Sequence, residues 1–121
     1  WLKKNPQLWE EIFNLNKRYI FFKSEKFTNK FPRGAMGINL VPNFSLAIDK
    51  SLIPFGIPIY LNTEKKFYNK FVVTHDTGSA IKGNNRGDLF TGRGKKAETL
   101  AGNLKIDLQL IFLLPYNDSN E

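Results

Sequence analysis

The stretch DTGSAIKGNNRGDLF, residues 76–90, sets two carboxylates twelve positions apart among glycines. It opens on Asp76-Thr77-Gly78, the triplet found in aspartic peptidases, and closes on Asp88 followed by Leu89-Phe90. Aspartic peptidases need two carboxylates that share one proton across a symmetric site. The chain carries one such triplet, so a peptidase built from it would have to dimerise. Phe71-Val72-Val73 before Asp76 suits the buried strand such a site requires, but no later apolar-apolar-Gly element follows to buttress a catalytic loop. A peptidase also has no use for Ile81-Lys82-Gly83 or for Asp88. A three-residue match carries little information by itself, and the second aspartate points to other chemistry.

The rest of the chain narrows the choice. Its 121 residues suit one compact domain, and eleven Phe supply material for a core. Cysteine is absent, which removes disulfides, thiolate zinc sites and cysteine nucleophiles. A single histidine, His75, is too little for a His-rich metal site, and a Ser-His-Asp triad would need other partners. The net charge of +7 suits an acidic partner, namely nucleic acid, anionic lipid or a carboxylate-bearing polymer, or else a lysine-rich solvated surface. The basic residues are scattered, with no helix-turn-helix, zinc-finger or RNP-type pattern, so no nucleic acid is expected. No run approaches the ~20 apolar residues of a membrane span. The chain begins Trp1-Leu2-Lys3 with no visible signal peptide, and reads as an excised or processed piece.

Periodicity predicts the elements. Residues 5–16 read as a helix, with Asn5 as cap, Pro6 at its first position and Glu10 and Glu11 early in it. Leu8, Ile12 and Leu15 fall on one side, and Trp9 beside them is expected in the core. A strand is expected from Arg18 through Tyr19-Ile20-Phe21-Phe22, and residues 24–42 read as loop. Short strands follow at 45–49, 57–61 and 71–75, with Pro54, Gly56 and Pro58 placing the second at an edge. Residues 95–101 predict a helix between Gly94 and Gly102. Residues 105–115 alternate, with Ile106, Leu108, Leu110, Phe112 and Leu114 on one face, and predict a buried strand. The tail 116–121 is polar and expected to fray. Many short strands and two short helices argue for a small β-barrel with helical decoration.

A longer pattern than the triplet decides the family. Asp76-Thr77-Gly78-Ser79-Ala80-Ile81-Lys82-Gly83, then Arg86-Gly87-Asp88-Leu89-Phe90, then Gly92 and Gly94 resemble the three-aspartate (3D) domain of the membrane-bound lytic transglycosylase A family, MltA. Upstream, Gly34-Ala35-Met36-Gly37-Ile38-Asn39-Leu40, Ser45-Leu46-Ala47-Ile48-Asp49 and Ile53-Pro54-Phe55-Gly56-Ile57-Pro58 are similar to the family's first aspartate block. Asn16-Lys17-Arg18-Tyr19-Ile20-Phe21-Phe22 is similar to its lead-in, and Ile111-Phe112-Leu113-Leu114-Pro115 to its last strand.

The resemblance implies a mainly β fold, a double-psi β-barrel with short peripheral helices. It implies one domain over 1–121, with a helical lead-in at 1–17, barrel at 18–115 and tail at 116–121. The chain then corresponds to the C-terminal part of a longer protein, whose N-terminal portion completes the barrel and whose inserted domain walls the cleft. The implied reaction is cleavage of the β-1,4 bond between N-acetylmuramic acid and N-acetylglucosamine in peptidoglycan, without water. Asp88 would be the catalytic acid and base, Asp76 its close catalytic neighbour and Asp49 the third family aspartate. Substrate-binding positions are Lys82, Gly78, Ser79, Ala80, Arg86 and Asp49. No metal or cofactor is expected. The partner is the glycan strand, in the periplasm, with any outer-membrane anchor outside this chain.

One working acid suffices for such chemistry. Ordinary glycosidases use two carboxylates. A lytic enzyme lets the muramyl C6 hydroxyl attack its own anomeric carbon, and tethering lowers that barrier. Asp88 must start protonated, so its pKa is expected above the usual ~3.9, raised by partial burial and by Asp76. His75 and Asp49 read as structural, Asp49 as a turn-holder. Gly78, Gly83, Gly87, Gly92 and Gly94 would let a tight loop approach sugar rings or take positive φ. Lys82 and Arg86 suit acetamido or carboxylate groups of the polymer, or simple solvation. Three positions depart from the family: Ser79 for a second glycine, Thr91 for an aromatic residue, and Asn43-Phe44-Ser45 for Gly-Arg-Ser. The alternative on the same barrel is a non-catalytic wall-binding module.

Overall fold

A computed structural model describes residues 1–18, 21, 24 and 31–116. Five strands, β1 (Ser45–Ile48), β2 (Pro58–Thr63), β3 (Lys70–Thr77), β4 (Gly87–Leu89) and β5 (Leu108–Phe112), form one sheet in the order β4-β1-β3-β2-β5. The β1–β3 pair is parallel and the other three pairs are antiparallel. The fold is mainly β, a sheet curled into a half-barrel with few short helices. A hydrogen bond spans the curl. Asn85, two residues before edge strand β4, accepts a hydrogen bond at Oδ1 from the Leu110 amide of the opposite edge strand, at 3.4 Å.

The concave face holds the core. Alternate residues of each strand point one way, so Leu46 and Ile48, Ile59 and Leu61, Val72 and Leu110 meet there with Ile53. Each such aliphatic side chain stabilises the fold by about 1.5–3 kcal/mol when removed from water. The expected strands at 45–49, 57–61 and 71–75 are present as β1, β2 and β3. Pro58 does not mark an edge: β2 lies between β3 and β5. Proline is tolerated there because it is the first residue of the strand, where no ladder donor is lost.

Expectations about both ends of the chain are corrected. The strand predicted over 105–115 forms only at Leu108–Phe112 and lies at an edge, so Leu110 alone is buried in it. With β2 as its one neighbour, Ile111 and Phe112 remain 40% exposed. Near the start, 3₁₀ turns at Leu2–Lys4 and Pro6–Leu8 precede a short helix α1, Trp9–Asn14. Pro6 takes the first position as expected, but Asn5 caps nothing; its amide Nδ2 donates to the Trp1 carbonyl at 2.9 Å. Trp9 is not a core residue: it is 43% exposed, with its indole N–H on the Leu2 carbonyl. No side chain of α1 is buried. Helix α2 (Lys95–Asn103) starts at Gly94 as expected and runs through Gly102, one residue beyond the expected stop. The strand expected from Arg18 through Phe22 and the tail at 116–121 fall largely outside the described residues.

Candidate active site

The site is built on β1 and its two neighbours, and a β-bulge sets its geometry. Along the parallel pair Leu46 faces Thr74, but the next residue, Ala47, faces Asp76. His75 is the extra residue on β3. Without it Ala47 would face His75, since a one-residue slip moves a side chain to the other face. The slip also explains why Thr74 and His75 are both buried although consecutive. On the other side of β1, Ala47 faces Asp88 of β4. Ala47 therefore separates the two aspartates across three adjacent strands. Their Cα atoms lie about two strand spacings apart, roughly 9–10 Å, and all three side chains share one face of the sheet. Alanine leaves space between the carboxylates that a larger residue would fill.

These residues floor a cleft of about 270 Å³ that Leu40, Ile81, Leu89 and Phe90 also line. A larger hollow of about 430 Å³ along α2, beside Lys95, Lys96 and Leu100, has no carboxylate in its lining. The chemistry-bearing groups are in the smaller cleft.

Asp76 is half-buried and anchored: its Oδ1 accepts the Ala35 amide at 2.8 Å. That amide is supplied by the loop 33–39, closed by the Arg33–Asn39 bridge and by the Gly34 amide on the Ile38 carbonyl. The loop presses against the bulge, with the Met36 amide on the His75 carbonyl. A Cβ on Gly34 would lie 2.5 Å from that carbonyl oxygen, so only glycine fits. Thr77, next to Asp76, donates to the Ile48 carbonyl at 2.8 Å and pins the end of β3 to β1.

Asp88 is open. Its side chain is 55% exposed, and Arg86 Nε lies 3.2 Å from Oδ1. The partial burial expected for Asp88 is therefore not met. β4 is three residues long at the sheet edge, so nothing on its outer side shields the carboxylate among the described residues. Beneath it, Gly87 lets the strand close on the core, because a Cβ there would meet Leu46 Cδ1 at 3.0 Å.

Asp49 has the opposite surroundings. It is 3% exposed, and its Oδ1 accepts from Ser51 Oγ at 2.7 Å, the Ser51 amide at 3.2 Å and Lys82 Nζ at 3.2 Å. Oδ2 accepts the Gly83 amide at 3.1 Å. The Ser51 hydroxyl above all, then the Gly83 amide, hold this carboxyl far below the usual carboxylate range. Asp49 thus ties down the loop 78–86 from below, and it does not line the cleft. Lys82 has its ammonium on Asp49 while remaining 65% exposed. Gly78, Ser79 and Ala80 form the turn that leaves β3, with Ser79 and Ala80 exposed. Ser79 is not among the positive-φ residues, so serine fits without strain.

Asn43 shows why one departure is tolerated. Its φ of 59° is left-handed, a region glycine enters freely and asparagine more readily than most. Its amide donates to the Phe90 carbonyl at 2.7 Å, next to the site. Thr91 donates through Oγ1 to the Ala97 carbonyl at 3.0 Å, which seats α2. His75 is structural. It shares a 2.8 Å hydrogen bond with Ser45 Oγ, packs on Phe44, and burial pushes its pKa below the ordinary value. Among the described residues no cluster of three or more His, Asp or Glu could hold a metal ion.

Fold and cleft together define a curled half-barrel domain carrying two aspartates on one sheet face, on the two strands that flank β1. The chain belongs to the 3D domain family, whose model matches residues 44–114. It is 31% identical over 115 residues to membrane-bound lytic murein transglycosylase A of Vibrio cholerae, covering 87% of this chain and 30% of that protein. The membrane-bound lytic murein transglycosylase structure from Agrobacterium tumefaciens is 32% identical with a TM-score of 0.80, over 95% of this chain and 33% of that one. A structure of Escherichia coli MltA with bound chitohexaose is 26% identical with a TM-score of 0.67, over 84% of this chain and 32% of that one. The chain thus spans about a third of the length of these relatives. No helix among the described residues is long and apolar enough to cross a membrane.

Proposed function

We propose that this domain carries the acid/base carboxylate of a peptidoglycan lytic transglycosylase, on a barrel of the double-psi type. Asp88 is the working group and Asp76 its fixed neighbour. The observation that carries this reading is the register that sets both aspartates against Ala47 on one face, above an open cleft. The relatives' names supply the reaction class, and the glycan in the Escherichia coli structure supplies the ligand class.

In this mechanism Asp88 begins as the neutral acid. A glycan strand laid over it displaces water from a side chain that is now 55% exposed, and desolvation favours the uncharged form. Arg86 is free to turn from Asp88 to a lactyl or stem-peptide carboxylate of the polymer. Asp88 protonates the glycosidic oxygen as the bond from muramyl C1 breaks, and N-acetylglucosamine departs as the alcohol. The muramyl C6 hydroxyl closes on C1, and the Asp88 carboxylate takes its proton. A 1,6-anhydro ring forms, no water is consumed, and Asp88 is again neutral. The second carboxylate of a hydrolase, which would activate water, is not needed. Asp76, held by the Ala35 amide, stays in place as the positive character at C1 develops.

In this reading the substrate partner is the peptidoglycan strand and the compartment is the periplasm. Incubation with purified sacculi and mass spectrometry of the soluble products tests the proposal. Anhydromuramyl-terminated muropeptides are the expected products. Retention on sacculi without any such product would instead make the domain a wall-binding module.

A further inference from the structure

We infer that the hairpin tip between β2 and β3, residues 64–70, is a docking surface for an anionic phospholipid bilayer. The tip carries Lys65, Lys66 and Lys70 against a single carboxylate, Glu64. No salt bridge engages any of the four among the described residues. At its crown Phe67 is 74% exposed, and Phe71 just beyond is 58% exposed. Lys70 Nζ stands 5.1 Å from the centroid of the Phe67 ring, and Tyr68 packs edge-on against the same ring at 5.1 Å. An exposed aromatic ring with an ammonium beside it matches the boundary between acyl chains and phosphate headgroups, where aromatic side chains concentrate and lysines meet anionic charge.

The tip is also preorganised. Asn69 Oδ1 accepts the Thr63 amide at 2.8 Å, and the one proton of the Thr63 hydroxyl is shared between Asn69 Oδ1 at 2.8 Å and the Lys65 carbonyl at 2.9 Å. A 3₁₀ turn at Lys66–Tyr68 holds Phe67 outward. Presenting the ring to a bilayer therefore requires little ordering of the loop. A second copy of the chain would bring the same three lysines face to face, which disfavours self-association through this tip.

Direction adds to the case. β3 runs from Lys70 at the tip to Asp76 at the cleft, six residues or about 20 Å at the rise of a strand. A bilayer met by the tip leaves the cleft at the other end of β3, about 20 Å from the tip. The surface is independent of the chemistry assigned to Asp88.

Sedimentation of the 121-residue chain with phosphatidylglycerol/phosphatidylcholine vesicles, and with phosphatidylcholine vesicles alone, tests the inference. Binding to the anionic vesicles, lost in high salt and absent from the neutral ones, is expected. Replacing Lys65 and Lys66 together by Ala weakens it about 20- to 30-fold, at about fivefold per lysine. Phe67→Ser weakens it on the order of tenfold. Phe67→Trp adds fluorescence that shifts to the blue only with anionic vesicles, read as a difference from the wild type. Phe67 is exposed, so circular dichroism melts of these variants match the wild type. The control is Lys95→Ala with Lys96→Ala, the same change of charge on α2. Equal weakening by the control would show diffuse attraction by net charge and overturn the assignment. So would failure to bind anionic vesicles, or a Phe67-dependent dimer in their place.

Discussion

Asp49 and Asp88 belong to one small domain, and their surroundings are opposites. Asp49 follows β1, is 3% exposed, and has both oxygens engaged by Ser51, Lys82 and Gly83. Asp88 sits on an edge strand with one cation beside it and water over more than half of its side chain. A carboxylate held by several donors stays ionised and fixed in place. One with an open face is accessible to a ligand laid over the sheet. In the proposed mechanism the difference separates the acid that shapes the loop from the acid that works on the substrate, although both resemble family aspartates in sequence.

The largest expected effect breaks the comparison at its open end. Asp88→Asn removes the proton donor and lowers anhydromuramyl product formation by about 10²- to 10⁴-fold, while the melting temperature stays near that of the wild type. Quantitative mass spectrometry with a melting curve checks both. Next is Gly34→Ala. Its Cβ would meet the His75 carbonyl oxygen at 2.5 Å and Leu40 Cδ2 at 2.6 Å, and forcing it in costs about 1–3 kcal/mol. Urea denaturation measures that loss. Product formation falls as well, because the Ala35 amide shifts off Asp76.

Asp49→Asn sharpens the closed end. The folded pKa of Asp49 lies below its unfolded value, so its stabilisation is present above about pH 3.9 and is lost as pH falls through the folded value. The Asn variant is expected to melt lower than wild type at pH 6 and to show a flatter decline toward acid. The smallest effect belongs to His75. Burial lowers its pKa, so below about pH 6.5 the unfolded chain binds a proton that the fold resists. Stability therefore declines from pH 7 toward pH 5, and His75→Gln reduces that slope in a series of thermal melts.

Much of this was legible in residues 76–90 and their neighbours. The strands at β1, β2 and β3 follow from short apolar runs, and the aspartates from their spacing. What stayed hidden depends on register. Gly87-Asp88-Leu89 is too short and too glycine-bearing to read as a strand, yet it pairs with β1 as β4. The bulge at His75 leaves no mark in composition, although it alone brings Asp76 opposite Ala47. Ala47 and the Ala35 amide are therefore not legible as site elements in the sequence. Their one signal was small size, Ala47 in an otherwise aliphatic strand and Ala35 within a Gly-Ala-Met-Gly run. The alternation at 105–115 read as a buried strand because sequence shows which side chains share a face, and not how many neighbours the strand has. Trp9 reads as core for a similar reason: an amphipathic stripe needs a partner, and none of the described residues buries it.

The division of labour between the two aspartates is the central claim, and one paired measurement tests it. Asp49→Asn and Asp88→Asn are compared with the wild type for anhydromuramyl product per hour on purified sacculi and for melting temperature, in one buffer at pH 6. The expected result is a dissociation. Asp88→Asn loses product at an unchanged melting temperature, and Asp49→Asn loses melting temperature while its folded fraction still forms product. Product made at the wild-type rate by Asp88→Asn, or abolished by Asp49→Asn in fully folded protein, would contradict it.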